Sequence, residues 1–82
     1  MSLTDFWLRT IASVRSVVED ETDLICNLAN ISAVLFEDLN KVKGNQVNWV
    51  GFYLTKQTEQ LILGPFQGTA NPGLQRLHND LF

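Results

Sequence analysis

At 82 residues the chain has room for one domain and only a thin core. Its composition is that of a water-soluble globular protein, 45% hydrophobic and 18% charged. A net charge of −3, with six Lys and Arg scattered along the sequence, excludes the basic footprint that nucleic acid or an anionic membrane requires.

The spacing predicts an amphipathic helix over residues 4–20. Trp7, Ile11, Val14 and Val18 form its apolar stripe, and Phe6 and Val17 widen it. Ser2 or Thr4 can cap the start, and Asp5 suits the positive end of the helix dipole. Asp5 also stands where a secretory signal would be basic, and the apolar runs are too short to span a bilayer, so a cytoplasmic chain is expected. The acidic run Glu19-Asp20-Glu21 opposes the dipole at the other end.

A second helix follows, capped by Asp23. Leu24, Leu28, Ile31, Leu35 and Leu39 share one stripe, with Ile25, Ala29, Ser32 and Phe36 alongside. Lys41 and Lys43 suit its carboxyl end, and Gly44 terminates it. The small residues Ala29, Ser32 and Ala33 would let it lie close to a sheet. Cys26 is the only cysteine, so no disulfide can close within the chain and no cysteine-based zinc site can form. At an apolar helical position it reads as a small core residue. Asn30-Ile31-Ser32 matches a glycosylation triplet but lies within the helix. His78, the only histidine, sits in a polar tail without a neighbouring nucleophile.

Two strands are expected at 47–54 and 60–64, joined as an antiparallel hairpin by the polar connector Thr55-Lys56-Gln57-Thr58-Glu59. Alternation puts Val47, Trp49, Gly51 and Tyr53 on one face, and Val50, Phe52 and Leu54 on the other. Two large aromatics thus flank a residue without a side chain. A strand glycine marks a bulge or a close approach, and the row reads either as the wall of a small-molecule pocket or as packing against another layer. Gly64-Pro65 is expected to break the second strand, because proline offers no amide hydrogen. Beyond Gly68 periodicity fades. Residues 69–82 read as a poorly ordered tail, with a short helical turn around Leu74, Leu77 and Leu81 as the available alternative. Two helices and one hairpin leave open strand edges and a half-covered apolar face, the start of a layered α and β structure rather than a finished one.

The residues N-W-V-G-F-Y-L at 48–54 and L-I-L-G-P-F-Q-G at 61–68 resemble the free methionine-(R)-sulfoxide reductases, which are small GAF-domain enzymes. The run Ala29-Asn30-Ile31-Ser32-Ala33-Val34-Leu35 is similar to that family as well, and the resemblance covers about residues 24–68. It implies an α+β chain with an incomplete GAF-like fold: two N-terminal helices packed on one face of an antiparallel sheet, represented here by one hairpin. Residues 1–68 would be the N-terminal half of the domain and 69–82 a divergent tail. Val50, Phe52 and Leu54 would then meet the helices, while Trp49 and Tyr53 would line the substrate pocket, with Phe66 adding to its apolar wall.

The resemblance also implies thiol chemistry. A cysteine attacks the sulfoxide sulfur, a second cysteine resolves the sulfenic acid as a disulfide, and thioredoxin acts as external reductant, with no bound cofactor or metal. This chain has Thr69-Ala70-Asn71-Pro72 where the family has a lysine and then its resolving cysteine, and Cys26 matches no redox position. The expected reading is a truncated reductase that recognises free methionine sulfoxide but is inactive alone. The alternatives are a non-catalytic GAF-type module that binds a small ligand or forms homo-oligomers, and an unstable product without a role.

Overall fold

The computed structural model describes residues 2–44, 46–56, 58–70 and 74–76. Helix α1 spans Leu3–Val18 and helix α2 Leu24–Lys43; strands β1, Trp49–Thr55, β2, Gln60–Gly68, and β3, Leu74–Arg76, form one antiparallel sheet in the order β1-β2-β3.

Both helices start where a short polar side chain can take an orphan amide. The Asp5 N–H donates to Ser2 Oγ at 3.0 Å, and the Cys26 N–H donates to Asp23 Oδ1 at 2.8 Å. Helix α1 stops two residues short of expectation, because acidic side chains at its carboxyl end oppose the dipole. Helix α2 ends at Gly44, whose φ of 63° is the left-handed conformation of a helix terminator.

Helix α2 is the element that meets the sheet, while α1 packs on α2 and makes no close backbone approach to the described strands. The buried line of α1 differs from the expected stripe. Phe6 and Thr10 are its buried residues, whereas Trp7 and Ile11 are 42% and 52% exposed. The reason is polar: Thr10 Oγ1 donates to Asp38 Oδ2 at 2.9 Å, which turns the Phe6–Thr10 line toward α2. A count of apolar residues gives no weight to such a threonine. On α2, Ser32 is fully buried, as its place among small residues suggests. Leu24 and Ile25, assigned to the α2 stripe, are 62% and 52% exposed.

The hairpin forms as expected, closed by the Lys56 N–H donating to the Gln60 carbonyl at 2.9 Å. Its first strand begins at Trp49 rather than residue 47, since the Val47 amide donates to Asn40 Oδ1 at 2.9 Å, outside the ladder. Its second strand does not break at Gly64-Pro65 but runs on to Gly68. The register explains why. Gly51 pairs with Phe66 and Tyr53 with Leu63, so two residues of β2, Gly64 and Pro65, stand opposite Phe52 alone. This is a β-bulge, one of the few places in a sheet that tolerate proline.

The sheet also gains a third strand that the sequence reading did not include. Gln60, Leu61 and Ile62 pair with Arg76, Gln75 and Leu74, so the backbone at Leu74 is extended rather than helical. Leu77, His78, Leu81 and most of the expected tail lie outside the described residues.

Candidate functional site

The two faces of the hairpin are assigned by what touches them. Ser32 Oγ on α2 lies 3.3 Å from the Pro65 carbonyl oxygen, and a Cβ built on Gly64 would meet the Leu54 side chain at 3.1 Å. Gln67, the partner of Val50, lines a cleft together with Ala33, Phe36 and Asn40 of α2. The face of Val50 and Leu54 is therefore the helix side. Trp49, Gly51 and Tyr53 occupy the face turned away from α2.

On that face the structure brings the three sequence-assigned residues together. The rings of Trp49 and Tyr53 stack with centroids 5.8 Å apart and planes 28° from parallel; Trp49 and Phe66 stack at 6.0 Å and 19°. All three are half-buried. Residues four apart on a strand are normally too distant to touch, so the two β1 rings lean toward each other over the bare backbone of Gly51.

Gly51 is also where β2 comes closest. A Cβ there would collide with the Cβ of Phe66 and lie 2.9 Å from both the Phe66 Cα and the Pro65 carbonyl oxygen. The glycine thus marks a close approach, as strand glycines do, and the approaching group is Phe66 of the same chain. The bulge decides the orientation of that residue. Strict alternation from Leu63, which shares the Tyr53 face, would send residue 66 to the helix side. One extra residue reverses the count and delivers Phe66 to the aromatic face.

One polar atom of the cluster is unsatisfied. Trp49 Nε1 is out of reach of solvent and has no hydrogen-bond partner among the described residues. Such a donor costs about 1–3 kcal/mol when left alone.

Elsewhere the chemistry is sparse. Cys26 is a half-buried free thiol in the first turn of α2, less enclosed than a core residue, with Asn30 Nδ2 at 3.8 Å from its Sγ. It stands on a helix, not beside the aromatic rings. Among the described residues no cluster of His, Cys, Asp and Glu could hold a metal ion, and no helix is long and apolar enough to cross a membrane. A cleft of about 300 Å³ lies between the helices, lined by Phe6, Arg9, Thr10, Asp38 and Lys41 among others, and one of about 480 Å³ lies beside α2 and Gln67. Neither includes the aromatic rings. The Thr10–Asp38 bond and the Ser32–Pro65 contact join elements 28 and 33 residues apart in sequence, and no local pattern announces either.

No protein-family model matches the chain. Individual proteins do. Bacillus subtilis protein YtsP is 48% identical over 59 residues, which is 71% of this chain and 33% of that protein. The free methionine-R-sulfoxide reductase of Escherichia coli is 38% identical over 68 residues, 83% of this chain and 38% of the enzyme. Among solved structures, a putative GAF sensor protein from Burkholderia vietnamiensis superimposes with a TM-score of 0.80 at 35% identity, over 95% of this chain and 46% of that one. The free methionine-R-sulfoxide reductase of Neisseria meningitidis, solved with its substrate, gives 0.79 at 35% identity, over 93% and 42%. The chain is thus homologous to part of the GAF-domain proteins, free methionine-R-sulfoxide reductases among them, and spans about a third to two-fifths of the curated relatives it matches.

Proposed function

We propose that this chain carries the substrate-recognition half of a GAF-type free methionine-(R)-sulfoxide reductase and does not perform the reduction by itself. The observation that carries this reading is the stacked group of Trp49, Tyr53 and Phe66, held on one face by the gap at Gly51 and the bulge at Gly64-Pro65. Flat aromatic faces suit an S-methyl group.

Reduction of a sulfoxide by thiols needs a thiolate on the sulfur, a proton for the departing oxygen and a second thiol to resolve the sulfenic acid. A single cysteine cannot supply both thiols, and Cys26 sits on α2. In a complete domain the remaining residues would provide them, thioredoxin would return the electrons, and no metal or bound cofactor would be required.

The test is a calorimetric titration of the 82-residue chain with free methionine-(R)-sulfoxide, its (S) epimer and methionine. Binding of the (R) epimer, weakened about tenfold in Trp49→Ala, is expected. With thioredoxin and its reductase no turnover is expected; turnover that vanishes in Cys26→Ser would overturn the inactive assignment.

A second reading has support in the likeness to the putative GAF sensor protein. A non-catalytic module of that kind would bind a small ligand or self-associate without redox chemistry. Size-exclusion chromatography with light scattering separates the two, since self-association belongs to the second reading alone.

A further inference from the structure

Asn40 stands near the end of helix α2, where the chain passes from helix to sheet, and it is engaged twice. Its main-chain carbonyl accepts the Gly44 N–H, the bond that closes the helix. Its side-chain Oδ1 accepts the Val47 N–H at 2.9 Å, seven residues further along. That second bond belongs to no ladder, since the pairing of β1 with β2 starts at Trp49. A part-buried amide needs an acceptor, and here a helix side chain supplies what a neighbouring strand normally would.

The following residue is held from the other layer. The Asn48 carbonyl accepts the Thr69 N–H at 2.9 Å, one residue past the end of β2. The two residues before Trp49 are therefore tied one to α2 and the other to the end of β2. Trp49 opens β1, and its ring is the one that both stacks share, with Tyr53 at 5.8 Å and Phe66 at 6.0 Å. Tyr53 and Phe66 are paired within the ladder, so the Trp49 ring depends most on what precedes it. The ends of paired segments open at the lowest free energy unless something outside the ladder holds them.

We propose that Asn40 is a positioning residue for the aromatic face: by accepting the Val47 N–H it fixes the backbone from which the Trp49 ring enters the stack. It acts through Trp49 and touches no ligand itself. The effect on ligand affinity rests on the proposed sulfoxide recognition, whereas the effect on ring placement does not. The bond requires only an acceptor at position 40, which aspartate retains and leucine lacks. Helix stability responds in the opposite sense, because leucine is the better helix former and a carboxylate in the last turn opposes the dipole.

The experiment compares Asn40→Leu and Asn40→Asp in a Trp7→Phe background, where Trp49 is the only tryptophan. Near-ultraviolet circular dichroism reads the stacked rings and the far-ultraviolet signal reads the helices. Asn40→Leu should lose about half or more of the tryptophan band while its helix signal holds or rises. Asn40→Asp should keep the band and lose only helix stability. Affinity for methionine-(R)-sulfoxide should fall about fivefold in the leucine variant, as the fraction of chains with the ring in place falls, and stay within about twofold in the aspartate variant. In the unsubstituted chain the Val47 amide should be protected from hydrogen exchange although it lies outside the ladder. An unprotected Val47 amide, a band unchanged in Asn40→Leu, or a band lost equally in both variants would overturn the proposal. If the unsubstituted chain binds no sulfoxide, the substrate assignment fails, and the exchange and near-ultraviolet measurements still decide the role of Asn40.

Discussion

Gly51 shows how much one missing side chain can organise. Its bare Cα lets the Trp49 and Tyr53 rings close over it, and it lets the Phe66 and Pro65 backbone approach from the next strand. An added methyl would have to displace main chain, not the far end of a flexible side chain. Gly51→Ala should therefore destabilise the chain by about 2–3 kcal/mol, more than a surface substitution costs. Urea denaturation followed by circular dichroism measures this, and a change under half a kilocalorie per mole would contradict the packing described. The same variant should quench the binding of methionine-(R)-sulfoxide if that binding uses the stacked rings. Ser32 is a milder case. Its hydroxyl donates to the Leu28 carbonyl at 2.8 Å and lies 3.3 Å from the Pro65 oxygen. Ser32→Ala should cost about 1 kcal/mol or less, because alanine's better helix propensity offsets part of the lost hydrogen bonding.

Among the elements, the two helices differ in what holds them. Helix α2 is fixed on both sides, by the sheet and by α1, whereas α1 has α2 alone. Hydrogen exchange should reveal this as two levels: α1 amides opening at lower free energy than those of α2 and β2. Equal protection across both helices would show that α1 is anchored by more than Phe6, Thr10 and the Asp38 bond. The elements themselves were largely legible in the sequence, because caps, terminators and alternation act locally: Ser2, Asp23 and Gly44 lie where the helices begin and end. What escaped was set by partners far along the chain. Proline is a strand breaker in isolation, and only the pairing of Gly51 with Phe66 and Tyr53 with Leu63 reveals the bulge that accommodates Pro65. The buried side of α1 was misplaced by one residue position because Asp38, 28 residues away, draws Thr10 inward. The aromatic site was legible as a face, through Trp49 and Tyr53, but its contact with Phe66 depends on that same bulge.

For the molecule as a whole, the described core is slight. Phe6 is its one buried apolar side chain among the described residues, while seven large apolar residues from Leu3 to Val42 remain exposed. A chain this short buries little surface and is only marginally stable even with good packing. The dye ANS should bind the isolated chain and thermal unfolding should be broad; a sharp two-state transition without dye binding would show that these side chains are covered in solution. The bulge, finally, has a consequence for how the chain tolerates changes in length. A residue gained or lost in the connector at 56–59 alters only a polar turn. A residue lost at Gly64 or Pro65 would remove the bulge itself, leaving Phe66 two residues after Leu63 and still on the aromatic face. Length can therefore vary at both places; what the aromatic face cannot tolerate is a regular ladder through both Gly64 and Pro65, which would set Pro65 opposite Gly51 and turn Phe66 toward α2.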